Sequence, residues 1–293
     1  MDVSLGRVGI WTTVLDALEP SAACELVAEL DAQGWGSLWF GEAYGREAFT
    51  AAYLYLGASS RIVVGTGIAS IYGRDAFATA SGARLLGQVY PARFVLGLGV
   101  SHVPLVERMR GHEYGKPVAT MRRYLASVAA SANLVAGVPE LPPTVIAALG
   151  PRMLELARDA ADGAHPYLVT PEHTAQARHL LGPDKLLVVE QAVVLDADVE
   201  IWRTRAHSHL EIYTGLPNYR NSWLRQGFTD ADAVRGGSDR LKRALVARGL
   251  DEIIVRVREH LDAGATTVVL QVLGEHLADP PRADWARLAE AIV

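Results

Sequence analysis

The sequence predicts a parallel (β/α)8 barrel, and three features of its patterning point there. Short runs rich in β-branched residues alternate with longer amphipathic stretches along most of the chain. Those short runs are apolar almost without interruption, as expected of strands covered on both faces by helices. No Gly-x-Gly-x-x-Gly stretch joins the first strand to the first helix, so the phosphate-binding turn of an open dinucleotide-binding sheet is missing. Eight strand candidates alternating with helices suit a closed barrel better than an open sheet.

The first strand is read at 7–11, and the helix after it over 20–33 ends at Gly34, a residue free to take positive φ. Strands follow at 37–40, 61–68 and 93–98, with helices over 46–58 and 75–90 between them. The second half repeats the theme with strands at 144–148, 163–168, 186–189 and 267–272. Helices fit 117–132, 151–161, 171–181, 251–263 and 281–293. The pattern is read as one barrel over 1–293, with an insertion at 195–250 between strand 7 and helix 7. The insertion opens with a helix near 198–213 and continues through Gly215-Leu216-Pro217-Asn218-Tyr219. Two readings of it stand: a lid or substrate wall at the barrel mouth, or a surface insertion that only packs on the barrel.

Composition narrows the functional classes. With 28 basic against 33 acidic residues, a net charge of −5 leaves no electrostatic footprint for nucleic acid or an anionic membrane surface. No apolar stretch approaches the ~18 residues of a membrane span, and no signal-peptide core opens the chain. A single cysteine, Cys24, excludes an internal disulfide and reads as a packing thiol in an amphipathic run. A soluble chain of the reducing cytoplasm is the expectation. The histidines His112, His173, His179, His207, His209, His260 and His276 share no ligand spacing, so no metal site is predicted. His165 lies within a strand ahead of Pro166-Tyr167 and reads either as facing the barrel interior or as a satisfied core residue.

Several stretches taken together resemble the bacterial luciferase-like barrels, in particular their F420-dependent oxidoreductase branch. They are Gly34-Trp35-Gly36-Ser37-Leu38-Trp39-Phe40-Gly41-Glu42, Val64-Gly65-Thr66-Gly67-Ile68, Tyr90-Pro91-Ala92-Arg93-Phe94-Val95-Leu96-Gly97-Leu98-Gly99, Gly150-Pro151-Arg152-Met153-Leu154-Glu155, Ala161-Asp162-Gly163-Ala164 and Gly264-Ala265-Thr266-Thr267-Val268. Each is weak alone; their order and spacing carry the resemblance, over about 7–190 and 245–293. It implies coenzyme F420 as cofactor, with flavin mononucleotide (FMN) as the alternative, a small-molecule substrate, and a homodimer formed through helices of the second and third units. In the Ala-rich run 76–83, close helix approach and packing on the barrel are equally open readings.

The resemblance also marks site residues. It implies a bulge after the third strand with a non-prolyl cis peptide at Ser70–Ile71 backing the deazaflavin ring, where the residues alone also fit an ordinary strand-to-loop exit. Gly99, with Val100 after it, ends the fourth strand, where a missing Cβ either lets a planar ring approach the backbone or relieves crowding between strands. Gly150-Pro151-Arg152 opens a helix whose free N–H groups favour an anion, and two readings stand: a cofactor phosphate partnered by Arg152, or a plain helix start with a solvated arginine. Glu42 ends the second strand and His102 follows the fourth, so both are expected at the barrel mouth, either as structural rim residues or with His102 as a proton donor or acceptor and Glu42 as an orienting group or base. Trp11, Trp39 and Tyr72 are pocket candidates that a barrel core would use equally.

One departure stands out. The sugar-phosphate and alcohol dehydrogenases of this family keep a histidine after the second-strand acid, and here that position is Ala43. The leading expectation is therefore an F420-dependent oxidoreductase of unassigned substrate. The alternatives are an FMN-dependent luciferase-like monooxygenase and a non-catalytic flavin-binding barrel.

Overall fold

A computed structural model describes residues 3–43, 45–131, 140–276 and 278–293. Its strands are β1 (Val8–Trp11), β2 (Ser37–Phe40), β3 (Val63–Thr66), β4 (Ala69–Ser70), β5 (Phe94–Gly99), β6 (Thr144–Ala147), β7 (Gly163–His165), β8 (Leu186–Val194), β9 (Val246–Arg248) and β10 (Thr267–Val272). The helices are α1 (Pro20–Ala32), α2 (Ala48–Gly57), α3 (Ala76–Val89), α4 (Pro117–Ala130), α5 (Pro151–Ala160), α6 (Pro171–Leu181), α7 (Val199–Thr214), α8 (Pro217–Arg225), α9 (Asp239–Leu245), α10 (Gly249–Asp262) and α11 (Arg282–Ile292). Residue 132, the expected last position of the fourth helix, lies outside the described residues.

Parallel pairing runs β10-β1-β2-β3-β5-β6-β7-β8, and β10 returns to pair β8, closing the barrel. Its strand residues are almost all buried, because helices cover the outside and side chains fill the inside. The predicted barrel, with its insertion between the seventh strand (β8) and the following helix (α10), is the observed fold. Gly34 closes α1 at φ 90°, as its lack of a Cβ allows.

Strand ends differ from the sequence reading in two informative places. The third strand was read to residue 68 but leaves its ladder after Thr66, where Gly67–Ile68 is a cis peptide. The chain then re-enters an extended course as β4, pairing Ala69 with Leu98 and Ser70 with Gly99 of β5. The seventh strand, expected over 186–189, continues through Glu190 and Gln191 to Val194. Both polar side chains are buried, and β9 from the end of the insertion adds a parallel partner to its last three residues.

Candidate active site

All eight barrel strands point the same way, so their C-terminal ends share one rim, where barrel enzymes build their sites. A cavity of about 740 Å³ opens there over the ends of β5, β6 and β7. Ile68, Gly99, Val100, Ser101 and His102 line one side, and Leu149, Gly150, Pro151, Arg152 and Met153 another. Tyr114 and Tyr167 complete the wall, while Asn218, Tyr219, Asn221 and Arg225 of α8 cover it. The inserted helix thus lies over the rim.

Local chemistry explains how α8 is held. Trp223 is fully buried, and its indole N–H donates to the carbonyl of Leu168 at 3.1 Å. Gln226 Oε1 accepts the backbone N–H of Thr170 at 3.0 Å. Leu168 itself takes φ 54°, a conformation that turns the chain after β7 and is costly for a branched residue. Its N–H donates to Glu190 Oε2 at 2.9 Å.

At one end of the cavity α5 begins. Gly150 is its N-cap with φ −113° and ψ 156°, and no side chain caps the helix. Pro151 has no N–H to satisfy and suits the first turn. Arg225 of α8 reaches over this end: its Nη2 meets the carbonyl of Leu149 at a long 3.4 Å and lies 3.4 Å from where a Cβ on Gly150 would stand. Burial lowers the pKa of this guanidinium. Two arginines beside the positive end of a helix dipole are mutually unfavourable until an anion joins them. The cradle has the donors and the charge for a phosphate.

The opposite end is neutral and aromatic. His102 stands 5.8 Å from the ring of Tyr219, and burial lowers its pKa, so its imidazole is uncharged at pH 7. His165 is deeper; its Nδ1 lies 2.8 Å from the carbonyl of Val188 and must carry the proton, because a carbonyl only accepts. Burial pushes its pKa down to about 4. Its Nε2 is sealed and unpartnered, turned toward Gly67. Glu190 is sealed too, and burial raises its pKa to about 8, so the carboxyl is protonated at neutral pH.

Several expected residues stand elsewhere. The cis bond lies at Gly67–Ile68, not Ser70–Ile71, since Ser70 is held in the β4–β5 ladder and Ile71 donates to the carbonyl of Gly99 at 3.0 Å. Ser70 and Ile71 are absent from the cavity wall, and Ile68 takes that place. At Gly99 a Cβ would meet Ile68 Cδ1 at 2.5 Å, and the glycine also lines the cavity, so the missing Cβ both relieves crowding and leaves the backbone open to a ligand. Gly97 is stricter: its Cβ would fall 1.7 Å from the carbonyl oxygen of Thr66.

Glu42 does not face this cavity. Its carboxylate is taken up by Arg74 and by the N–H groups of Ser70 (2.8 Å) and Ala48 (3.2 Å), beside a smaller cavity of about 270 Å³. So engaged, the carboxylate ties the end of β2 to Arg74 and to the backbone of β4 and α2. Of the aromatic candidates, Trp11 sits below the cavity, donating to the carbonyl of Gly67 at 2.9 Å, while Trp39 is fully buried and Tyr72 stacks on Tyr114. Tyr114 and Arg225 are not marked by the sequence, and Tyr219 is marked only as part of the insertion, because no local pattern reports which residue of a loop or insertion lands over a barrel mouth. Among the described residues, no helix is long and apolar enough to cross a membrane.

Comparison with known proteins agrees with the fold. The model of the luciferase-like monooxygenase family matches residues 7–256. A Mycobacterium tuberculosis protein provisionally named a coenzyme F420-dependent oxidoreductase is 31% identical over 119 residues, which are 41% of this chain and 33% of that protein. The match therefore spans a third of that relative's length. Among solved structures, the coenzyme F420-dependent tetrahydromethanopterin reductase of Methanopyrus kandleri superposes with a TM-score of 0.71 at 17% identity, covering 100% of this chain and 99% of that one. The oxygenating component of 3,6-diketocamphane monooxygenase of Pseudomonas putida, in complex with FMN, gives 0.67 at 12% identity, covering 98% and 96%.

Proposed function

The chain belongs to the luciferase-like monooxygenase family, and on that premise we propose that it is a coenzyme F420-dependent oxidoreductase. It moves a hydride between the deazaflavin and a small organic substrate. The observation that carries the reading is the uncapped start of α5, bracketed by Arg152 and Arg225, in the wall of the cavity on the C-terminal rim. A ring system anchored there by its phosphate fits the cavity's division into a charged end and a neutral one.

The residues then divide the work. Arg225, Arg152 and the first N–H groups of α5 hold the anion. Ile68, two residues past β3, backs the ring with an apolar side chain, in the role expected of Ser70 and Ile71. Bound F420 supplies a hydride donor or acceptor, and the protein supplies orientation and exclusion of water. The aromatic side chains of α8 form the roof that keeps water out, and the 195–250 insertion is on this reading a substrate wall. His102, neutral at pH 7, is a proton acceptor for substrate oxidation.

Fluorescence titration of the purified protein with F420 and with FMN tests the reading. Saturable F420 binding is expected, and Arg225→Ala should weaken it roughly tenfold, about 1.4 kcal/mol, because the side chain works at a partly solvated rim. Tight FMN binding with no F420 binding would assign the chain instead to flavin-dependent monooxygenation. Binding of either without turnover of any acceptor would favour a non-catalytic barrel.

A homodimer also belongs to this proposal. Tyr53 and Leu54 on α2 and Phe77, Leu85 and Val89 on α3 expose large apolar side chains on two adjacent helices. Light scattering should give twice the chain mass at micromolar concentration, and Phe77→Glu with Leu85→Glu should return the monomer. A wild-type monomer at every concentration would remove the dimer.

A further inference from the structure

Two cavity-lining side chains carry titratable atoms without a partner among the described residues. The hydroxyl of Tyr219 makes no hydrogen bond among the described residues and is not one of the orphan atoms sealed from solvent, and the same holds for the imidazole of His102. Their rings lie 5.8 Å apart at 46°, one brought by the turn after β5 and the other by the inserted helix. The neighbouring candidates are engaged. Tyr167 donates to Gln271 Oε1 at 2.5 Å and meets the Tyr213 hydroxyl at 2.9 Å, and Tyr114 donates to the carbonyl of Ser101 at 3.1 Å. Glu42 is tied to Arg74 and His165 to Val188.

Adding a hydride to a polarised double bond leaves an oxygen that must gain a proton, so the donor must be protonated when the hydride arrives. Burial holds Tyr219 well above the usual phenol range and keeps its proton on at any physiological pH. The same burial keeps His102 neutral. Formal charge in the wall is carried by Arg152 and Glu155 of α5 and by Arg225 at the far end of α8, and the His102–Tyr219 pair adds none.

We propose that Tyr219 hydrogen-bonds the carbonyl oxygen of an uncharged substrate and gives it the proton that accompanies hydride transfer. This rests on the hydride-transfer reading above. The carbonyl carbon gains the hydride with its two electrons from the reduced cofactor, the C=O π pair moves to oxygen, and that oxygen takes the Tyr219 proton. His102 returns a proton from solvent to the tyrosinate. The substrate class is an uncharged ketone or aldehyde.

The test uses the infrared carbonyl band of carbonyl-13C acetophenone bound to the full-length protein, which needs no turnover. A downshifted band in the wild type that is lost in Tyr219→Phe, with F420 titration unchanged between the two, is expected. Reduction of the same ketone by reduced F420 should fall about 100-fold in kcat in that variant, the size of a lost general acid. A downshift retained in Tyr219→Phe overturns the assignment of this residue, and failure of the wild type to bind acetophenone overturns the substrate class. If F420 does not bind while the Tyr219-dependent downshift persists, the cofactor reading fails and the hydrogen bond stands.

Discussion

On acidification from pH 7 to pH 4 the protein is expected to lose stability steeply, taking up more than one proton per molecule as it unfolds. His165, His209 and His260 are buried, and burial lowers their pKa values to about 4, 4 and 3. Each is built into the structure as a neutral ring. His260 shows why: Gln191 gives both amide hydrogens to the carbonyls of Ala192 and Leu245, so its Oε1 accepts from His260 Nε2, leaving Nδ1 to accept from Thr174. A depressed folded pKa stabilises the fold above the unfolded value near 6.5 and loses that contribution as pH falls through the folded one.

At about 1.4 kcal/mol per unit, a loss of two units at each of three sites comes to roughly 8 kcal/mol. That is comparable with the ~5–15 kcal/mol separating a native fold from its unfolded chain. Glu190 opposes this. Its folded pKa is raised to about 8, so its contribution grows as pH falls toward the unfolded value, and it offsets one of the three histidines rather than all of them. Denaturant midpoints from pH 7.5 to 4.5 would show the slope. His209→Phe isolates one component, because His209 Nε2 has no partner and its ring packs 5.2 Å from Tyr213. The variant should gain stability at pH 5 and lose one proton from the slope; an unchanged slope would show that His209 is already protonated in the fold.

The acid-sensitive groups, like much of the site, were only partly visible in the sequence, for a physical reason. A barrel announces itself locally: strands buried on both faces read as apolar runs and their helices as amphipathic stretches, so the topology was legible. Gly150-Pro151-Arg152 was legible as well, because a helix start is a short-range property. What failed was long-range. Glu42 sits at a strand end as expected, but Arg74, 32 residues later, turns its carboxylate away from the mouth. The cis peptide was displaced by three residues, because the point where β3 gives way to β4 depends on pairing with β5. Tyr219 and Arg225 belong to an insertion with no repeating pattern, and only the packing of α8 decides which of its side chains meet the barrel.

That packing rests chiefly on one residue. Trp223→Ala is expected to destabilise the protein by about 3–5 kcal/mol, the usual cost of emptying a buried aromatic site. Trp223 is 0% exposed and packs 6.0 Å from Tyr219, ring to ring. The indole N–H is also the partner of the Leu168 carbonyl, which the truncation would strand beneath α8. Trp223→Phe separates the two contributions: it keeps most of the packing, loses the hydrogen bond, and should cost only about 1 kcal/mol. Function should follow the same order. Because Arg225 and Tyr219 ride on the helix that Trp223 pins, the alanine variant should weaken cofactor binding at least as much as Arg225→Ala does. It should also raise proteolytic susceptibility between α7 and α9 before the barrel melts. A variant that melts as one unit with the wild type's cofactor affinity would mean that α8 is held by Gln226 and Arg225 alone, and that the roof does not depend on its buried indole.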